Sequence, residues 1–124
     1  MKEKQLQDIT ALYGRLSRDD EVGGESMSIQ SQRAILGQYA KEHGFTNCRF
    51  FMDDGYSGTN FDRPAFAEMM ELVEQRRVRT IIVKDLSRLG RNYLEVGRYT
   101  EVIFPENKVR FIAITDGVDS AAGD

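Results

Sequence analysis

Residues 80–91 read Thr80-Ile-Ile-Val-Lys-Asp-Leu-Ser-Arg-Leu-Gly-Arg91, a short run of β-branched residues that gives way at once to charged and polar ones. Because Ile81, Ile82 and Val83 are apolar without alternation, they predict a strand that is buried on both faces. Such strands are typical of parallel sheets covered by helices. The stretch therefore predicts an α/β fold with polar residues directly after a central strand.

The sequence on either side of this stretch alternates strand and helix patterns. Residues 9–14, 48–52 and 109–114 are apolar and β-prone, and helical spacing occurs after Ser28, from Pro64 and from about Tyr93 to Phe104. Ser28 and Gly44 suit the ends of the first helix, and Pro105 is expected to end the third. We predict an α/β fold, a mostly parallel four- to five-stranded sheet with helices on both faces and flavodoxin-like layering.

Length and composition limit the classes of protein to consider. The 124 residues are enough for one domain, 1–124, and the polar tail 117–124 predicts no packing face. With 17 Lys and Arg against 20 Asp and Glu, the net charge of −3 argues against binding DNA by bulk electrostatics. The short apolar runs predict no membrane segment, and one Cys with one His predicts neither a disulfide nor a Cys/His metal site. We expect a cytoplasmic protein.

Three polar segments follow predicted strands. They contain Arg15-Leu-Ser17, Asp53 to Arg63, and Lys84 to Arg91. Since the carboxyl ends of parallel strands meet at one edge of a sheet, a serine hydroxyl and several guanidiniums are expected to lie together. Fixed guanidiniums stabilise the charge that develops on phosphoryl oxygens without a metal, and a serine hydroxyl can be the nucleophile.

Each of these residues also has an ordinary structural interpretation. A serine such as Ser17 or Ser57 at a strand-to-loop junction commonly stabilises a turn. Arg88 and Arg91, at i and i+3, fit a solvated pair as well as an anion site. A Ser-His-Asp hydrolase is not supported, because the sequence has no G-x-S-x-G and no histidine near Ser17.

Four ordered motifs together resemble the catalytic domain of serine site-specific recombinases, the resolvase/invertase family. The motifs are Tyr13-Gly-Arg15-Leu-Ser17, Ser28-Ile-Gln30, Asp54-Gly-Tyr-Ser57-Gly58 with Asp62-Arg63-Pro64, and Val83-Lys-Asp-Leu-Ser-Arg88-Leu-Gly-Arg91-Asn92. The resemblance runs from about Ile9 to about Asp119. The Asp-Arg-Pro stretch and the long loop after Ser17 are most similar to the large serine recombinases, the integrases and transposon recombinases.

The resemblance implies a fold and a reaction. The fold would be resolvase-like, and Ser17 would attack a phosphate of duplex DNA, form a covalent 5′-phosphoserine and free a 3′ hydroxyl before religation. No cofactor, metal or ATP would be needed. The protein would act as a homodimer that pairs into a tetramer during synapsis.

The resemblance also implies roles for particular residues. Arginines would surround the phosphate, while polar side chains support the site; the arginines are Arg15, Arg63, Arg88 and Arg91, and the supporting residues are Gln30, Asp53, Asp54, Ser57 and Asp85. The family carries an aspartate where this chain has Ser87, and Asp85 is a candidate for its replacement. The family's long C-terminal helix and DNA-binding domains are not expected within 1–124.

Two alternatives belong to other functional classes. A receiver-like phospho-acceptor domain would use Asp19, Asp20 and Asp85 around a metal, although the acidic pair follows Ser17 and does not end the strand directly. A catalytically idle oligomerisation module of a DNA-binding protein would keep the fold alone. The presence of Ser17 with its arginines argues against that loss.

Overall fold

A computed structural model describes residues 8–16, 28–54, 63–90 and 92–121, and among them five strands form one sheet. The strands are β1 (Ile9–Leu16), β2 (Cys48–Asp54), β3 (Val78–Val83), β4 (Arg110–Ala113) and β5 (Val118–Asp119). Their order is β2-β1-β3-β4-β5, and all neighbours pair in parallel except β4 and β5, which are antiparallel. The predicted, mostly parallel sheet is confirmed.

Helices cover both faces of this sheet. They are α1 (Ile29–Glu42), α2 (Pro64–Glu74), α3 (Tyr93–Arg98) and α4 (Phe104–Glu106), with a π-helical segment, Tyr99–Ile103, joining α3 to α4 and a 3-10 turn, Leu86–Arg88, after β3. Leu36 and Ala40 of α1 pack against Leu12 and Ile82 on one face. Side chains of α2 and α4 pack on the other face, so the predicted α/β layering is confirmed.

The ends of α1 follow from local chemistry. The Ser28 hydroxyl accepts a hydrogen bond from the Ser31 amide at 3.0 Å, which caps the helix as predicted. Gly44 follows the last turn with φ +77°, and the amide of Phe45 bonds to the carbonyl of Ala40 at 2.9 Å. This is a Schellman ending, which glycine adopts without strain.

The centre of the sheet is apolar on both faces. Ile81, Ile82 and Val83 of β3 are fully buried, with Ile81 and Val83 on one side and Ile82 on the other. The prediction of a strand buried on both faces is therefore correct. No helix among the described residues is long and apolar enough to cross a membrane.

Two predictions for the last third of the chain are wrong. The tail has a packing face, because β5 pairs with β4, Val118 packs against the core and Asp119 bonds to Arg110 at 2.8 Å. Pro105 does not end the third helix at its own position. It occupies the first turn of α4, where a proline needs no amide partner, and that helix ends at Glu106 with Asn107 as its C-cap.

Candidate functional site

Three arginines lie buried where β1, β2 and β3 end. Arg15 belongs to β1, Arg63 precedes α2 and Arg88 ends the 3-10 turn after β3. Their side chains are almost inaccessible, with residue exposures of 0%, 1% and 6%. Buried guanidiniums are rare and require dense polar contacts. This edge of the sheet therefore accommodates several positive charges away from water.

Arg15 and Arg88 hold each other's backbone. Arg15 donates from Nη2 to the carbonyl of Ser87 at 2.6 Å and from Nε to the carbonyl of Arg88 at 3.3 Å. In return, Arg88 donates from Nη1 to the carbonyl of Arg15 at 3.0 Å. The end of β1 and the turn after β3 are thus fastened together by charged donors.

Arg63 joins the same turn from the other side. Its Nη2 donates to the carbonyl of Leu89 at 2.9 Å and its Nη1 reaches the carbonyl of Arg88 at 3.4 Å. Its guanidinium carbon also lies 4.5 Å from the ring centre of Phe66, a cation–π distance. Arg63 therefore links the start of α2 to the turn that carries Arg88.

A buried tyrosine and aspartate complete the interior of the site. The Tyr13 hydroxyl donates to Oδ2 of Asp53 at 2.8 Å and accepts from Nη1 of Arg63 at 3.3 Å. Burial raises the pKa of Tyr13 well above its usual value, and although the Arg63 charge opposes this, Tyr13 stays protonated as a donor.

Asp53 also determines where α2 begins. Its carboxylate accepts hydrogen bonds from the amides of Ala65 at 2.9 Å and Phe66 at 3.0 Å. The residue at the N-cap position, Arg63, makes no capping bond with its own side chain. Asp53 thus supplies from β2 the cap that α2 lacks locally, and this places Arg63 at the edge of the sheet.

Asp85 organises the turn that carries Arg88. Its Oδ1 accepts a hydrogen bond from the Ser87 amide at 3.0 Å and another from the Ser87 hydroxyl, and its Oδ2 lies 3.6 Å from Nε of Arg88. Burial opposes ionisation, but the Ser87 hydrogen bond and the charges of Arg88 and Lys84 outweigh it and lower the pKa of Asp85. Asp85 thus contacts both Arg88 and Ser87, the residue that stands where the resemblance implies an aspartate.

Sequence reasoning missed Gln32. This residue is fully buried on α1, where its Oε1 accepts from the Arg15 amide and its Nε2 donates to the Arg15 carbonyl, both at 3.1 Å. A signal was available, since Gln32 continues the buried stripe of Leu36 and Ala40 at i, i+4 and i+8. A polar residue in an apolar stripe indicates a buried hydrogen-bonding partner.

The structure brings together four of the predicted site residues: Arg15, Arg63, Arg88 and Asp53. Asp85 lies beside them, and Gln30 is exposed on α1, two residues from Gln32. Asp54 is the last residue of β2, and nothing is described of its side chain. Ser17, Ser57 and Arg91 lie outside the described residues, as do Asp19 and Asp20 of the receiver alternative. The described residues contain no group of three or more His, Cys, Asp or Glu that could hold a metal ion.

The clustered guanidiniums allow this edge of the sheet to stabilise negative charge. They are held rigidly and away from water, so their field acts on an anion or on developing negative charge with little reorganisation. The arrangement suits stabilisation of a phosphoryl group more than proton transfer, because arginine keeps its proton.

Comparisons with known proteins identify a matching family and similar solved structures. The family model described as "Resolvase, N terminal domain" matches residues 10–123. The crystal structure of the N-terminal catalytic domain of TP901-1 integrase is similar with a TM-score of 0.81 and 26% identity, over 94% of this chain and 84% of that one. A resolvase family site-specific recombinase from Streptococcus pneumoniae is similar with a TM-score of 0.75 and 27% identity, over 94% and 78%.

A curated phage protein is also similar in sequence. It is the uncharacterized immunity region protein 3 of Bacillus phage phi105, 30% identical over 64 residues, which cover 52% of this chain and 77% of that protein.

Proposed function

This chain belongs to the Resolvase, N terminal domain family, the catalytic domain of serine site-specific recombinases, and from that membership we propose that it cleaves and rejoins duplex DNA through Ser17. The Ser17 hydroxyl oxygen attacks a backbone phosphorus, and the bond from phosphorus to the 3′ oxygen breaks. The serine proton leaves and the 3′ oxygen gains one, so the products are a 5′-phosphoserine and a free 3′ hydroxyl. Religation reverses these steps on a new partner strand.

This reaction conserves the energy of the phosphodiester bond. One ester bond is exchanged for another in each direction, so the chemistry requires neither ATP nor another cofactor. The charge that develops on the phosphoryl oxygens is the main barrier that the protein has to lower. Guanidiniums perform this role here in place of a metal.

The observation that carries the proposal is the convergence of Arg15, Arg63 and Arg88. All three are buried at the carboxyl ends of the strands, and Arg15 precedes Ser17 by two residues. Removing one preorganised donor of this kind from an enzyme site costs on the order of 10²–10³ in rate. Several such donors together lower the barrier to phosphoryl transfer by a useful amount.

The remaining assignments follow the motif resemblance. Arg91 joins the arginines around the phosphate, and Gln30, Ser57 and Asp54 support the site. Asp85 takes over the role of the acidic residue that Ser87 replaces. The protein works in the cytoplasm as a homodimer that pairs into a tetramer on DNA.

A covalent-trapping experiment tests the reaction without knowledge of the target site. The chain is incubated with a pool of random-sequence duplexes that carry a nick, so that the short cleaved fragment diffuses away and the protein–DNA adduct accumulates. We expect an adduct that survives denaturation, contains phosphoserine at position 17 and is absent from Ser17→Ala. Ser31→Ala, a serine exposed on α1, is the matched control and should form the adduct normally.

Two outcomes would overturn the proposal. An adduct that persists in Ser17→Ala would assign the nucleophile elsewhere. No adduct with any duplex, together with labelling of Asp19, Asp20 or Asp85 by a small acyl phosphate, would favour the receiver-like alternative.

A further inference from the structure

The last residues of β1 extend beyond the strand that pairs with them on one side. β3 pairs with β1 only as far as Val83, opposite Tyr13, whereas β1 continues to Leu16. The backbone of Arg15 is therefore beyond the end of β3. The backbone amide of Arg15 donates to Oε1 of Gln32, and its carbonyl accepts from Nε2 of Gln32, both at 3.1 Å. The side chain of Gln32 therefore supplies the hydrogen bonds that a longer neighbouring strand would supply.

Gly14 makes this contact possible. A Cβ atom at position 14 would lie 2.8 Å from Oε1 of Gln32 and 2.6 Å from Sδ of Met52. Both approaches are below 3.0 Å, so an alanine at position 14 would have to displace the Gln32 amide oxygen and the Met52 sulfur. The small size of Gly14 and the amide of Gln32 therefore act together, and the sequence did not predict that they are neighbours.

We propose that Gln32 is a positioning residue, which fixes the backbone at Arg15, two residues before Ser17 in the sequence. The proposal rests on the proposed function of Ser17 as nucleophile. Two hydrogen bonds in opposite directions hold the peptide groups on both sides of Arg15. Arg88 donates to the same Arg15 carbonyl, so Gln32 also sets the geometry between the strand end and this guanidinium.

The burial of Gln32 points to positioning and not to core packing. Burying an amide costs free energy unless it is fully hydrogen-bonded, and an apolar residue would serve the core of α1 at least as well. Only an amide offers one donor and one acceptor at the spacing of a peptide group. Gln38, on the same helix, is exposed and serves as the natural comparison.

The test compares Gln32→Met with Gln38→Met, which changes an exposed glutamine of the same helix. Methionine keeps the length and volume of glutamine but removes both hydrogen bonds. Adduct formation on the nicked duplex pool is measured at saturating and limiting DNA, and amide hydrogen exchange is measured at Arg15. Leu36→Ala controls for general destabilisation. Leu36 is fully buried on α1 and takes no part in the two hydrogen bonds to Arg15.

We expect Gln32→Met to slow adduct formation at saturating DNA by about 10²-fold, the cost of misplacing a reacting group by about 1 Å. The half-saturating DNA concentration should stay unchanged, and exchange at the Arg15 amide should accelerate. Gly14→Ala, whose Cβ atom would displace the oxygen of the same amide, should show the same pattern. Gln38→Met and Leu36→Ala should retain the wild-type rate within about three-fold when the folded fraction is equal.

Two results would overturn the proposal. One is a Gln32→Met rate equal to that of Gln38→Met, and the other is an equal loss in Leu36→Ala at matched folded fraction. If the wild type itself forms no adduct, the proposed function fails, and the exchange of the Arg15 amide then decides on its own whether Gln32 holds the strand end.

Discussion

Tyr13 donates its hydroxyl hydrogen to Oδ2 of Asp53 at 2.8 Å, across neighbouring strands β1 and β2. Asp53 uses the same oxygen to accept from the Phe66 amide at the start of α2. The tyrosine therefore connects the middle of the sheet to the helix that directly follows Arg63. This contact stabilises the site from the interior of the protein, and its contribution to the free energy of unfolding can be measured.

Tyr13→Phe should destabilise the protein by about 1–3 kcal/mol, because it removes a donor from a buried carboxylate and an acceptor from Arg63. The free energy of unfolding in urea measures this loss. Tyr93→Phe is the matched control, since Tyr93 is 88% exposed and should be neutral. Equal stability of the two variants would contradict the importance of the buried hydroxyl.

The stability of the wild type should fall above about pH 10. Burial raises the pKa of Tyr13 above its ordinary value of 10.0, so in alkaline solution the unfolded state loses the Tyr13 proton while the folded state keeps it. The folded state then binds more protons, and stability decreases as pH rises until the folded pKa is passed. Urea unfolding between pH 8 and about pH 11 measures this, and Tyr13→Phe should show a smaller decrease. An identical slope in both proteins would refute the assignment to Tyr13.

The strands around β3 could be predicted because their information is local. Three consecutive β-branched residues, Ile81, Ile82 and Val83, are enough to predict a buried strand, and Ser28 is enough to predict a cap. β5 could not be predicted in this way. Its two residues depend on pairing with β4 and on the ion pair between Arg110 and Asp119, which nothing in the polar tail itself indicates.

In the candidate site, too, the sequence predicts local features and not those that depend on distant residues. Motifs selected Arg15, Arg63 and Arg88 correctly as neighbours at the strand ends, but not their burial. A buried arginine depends on carbonyls that lie far away in the chain, as those of Ser87 and Leu89 do for Arg15 and Arg63. Local patterns do not encode such distant partners.

Asp85→Asn should lower stability at neutral pH, with a difference that shrinks in acid. Ser87, Arg88 and Lys84 hold the pKa of Asp85 below 3.8 against the opposing effect of burial. As pH falls below about 4, the unfolded state gains the proton first, and the stability contributed by the carboxylate is lost through the folded pKa. Urea unfolding from pH 6 down to about pH 3 measures the difference, with Glu71→Gln, an exposed carboxyl, as control. A difference that stays constant over this range would contradict ionisation of Asp85 as its source.

Arg63→Lys should damage the site although it keeps the positive charge. The guanidinium of Arg63 contacts the Tyr13 hydroxyl and the carbonyls of Arg88 and Leu89 from two nitrogens. A lysine ammonium is a single compact donor group and cannot reproduce this planar fork or stack on Phe66 in the same way.

We therefore expect Arg63→Lys to lose about 1–3 kcal/mol of unfolding free energy and to slow adduct formation by at least about 10²-fold. Arg49→Lys is a demanding control, because Arg49 also lies over an aromatic ring, 5.3 Å from the centre of Phe51, but its side chain is 45% exposed. That variant should keep both stability and rate. Equal behaviour of the two lysine variants would show that charge alone is sufficient at position 63, and that the three-contact geometry is not what the site requires.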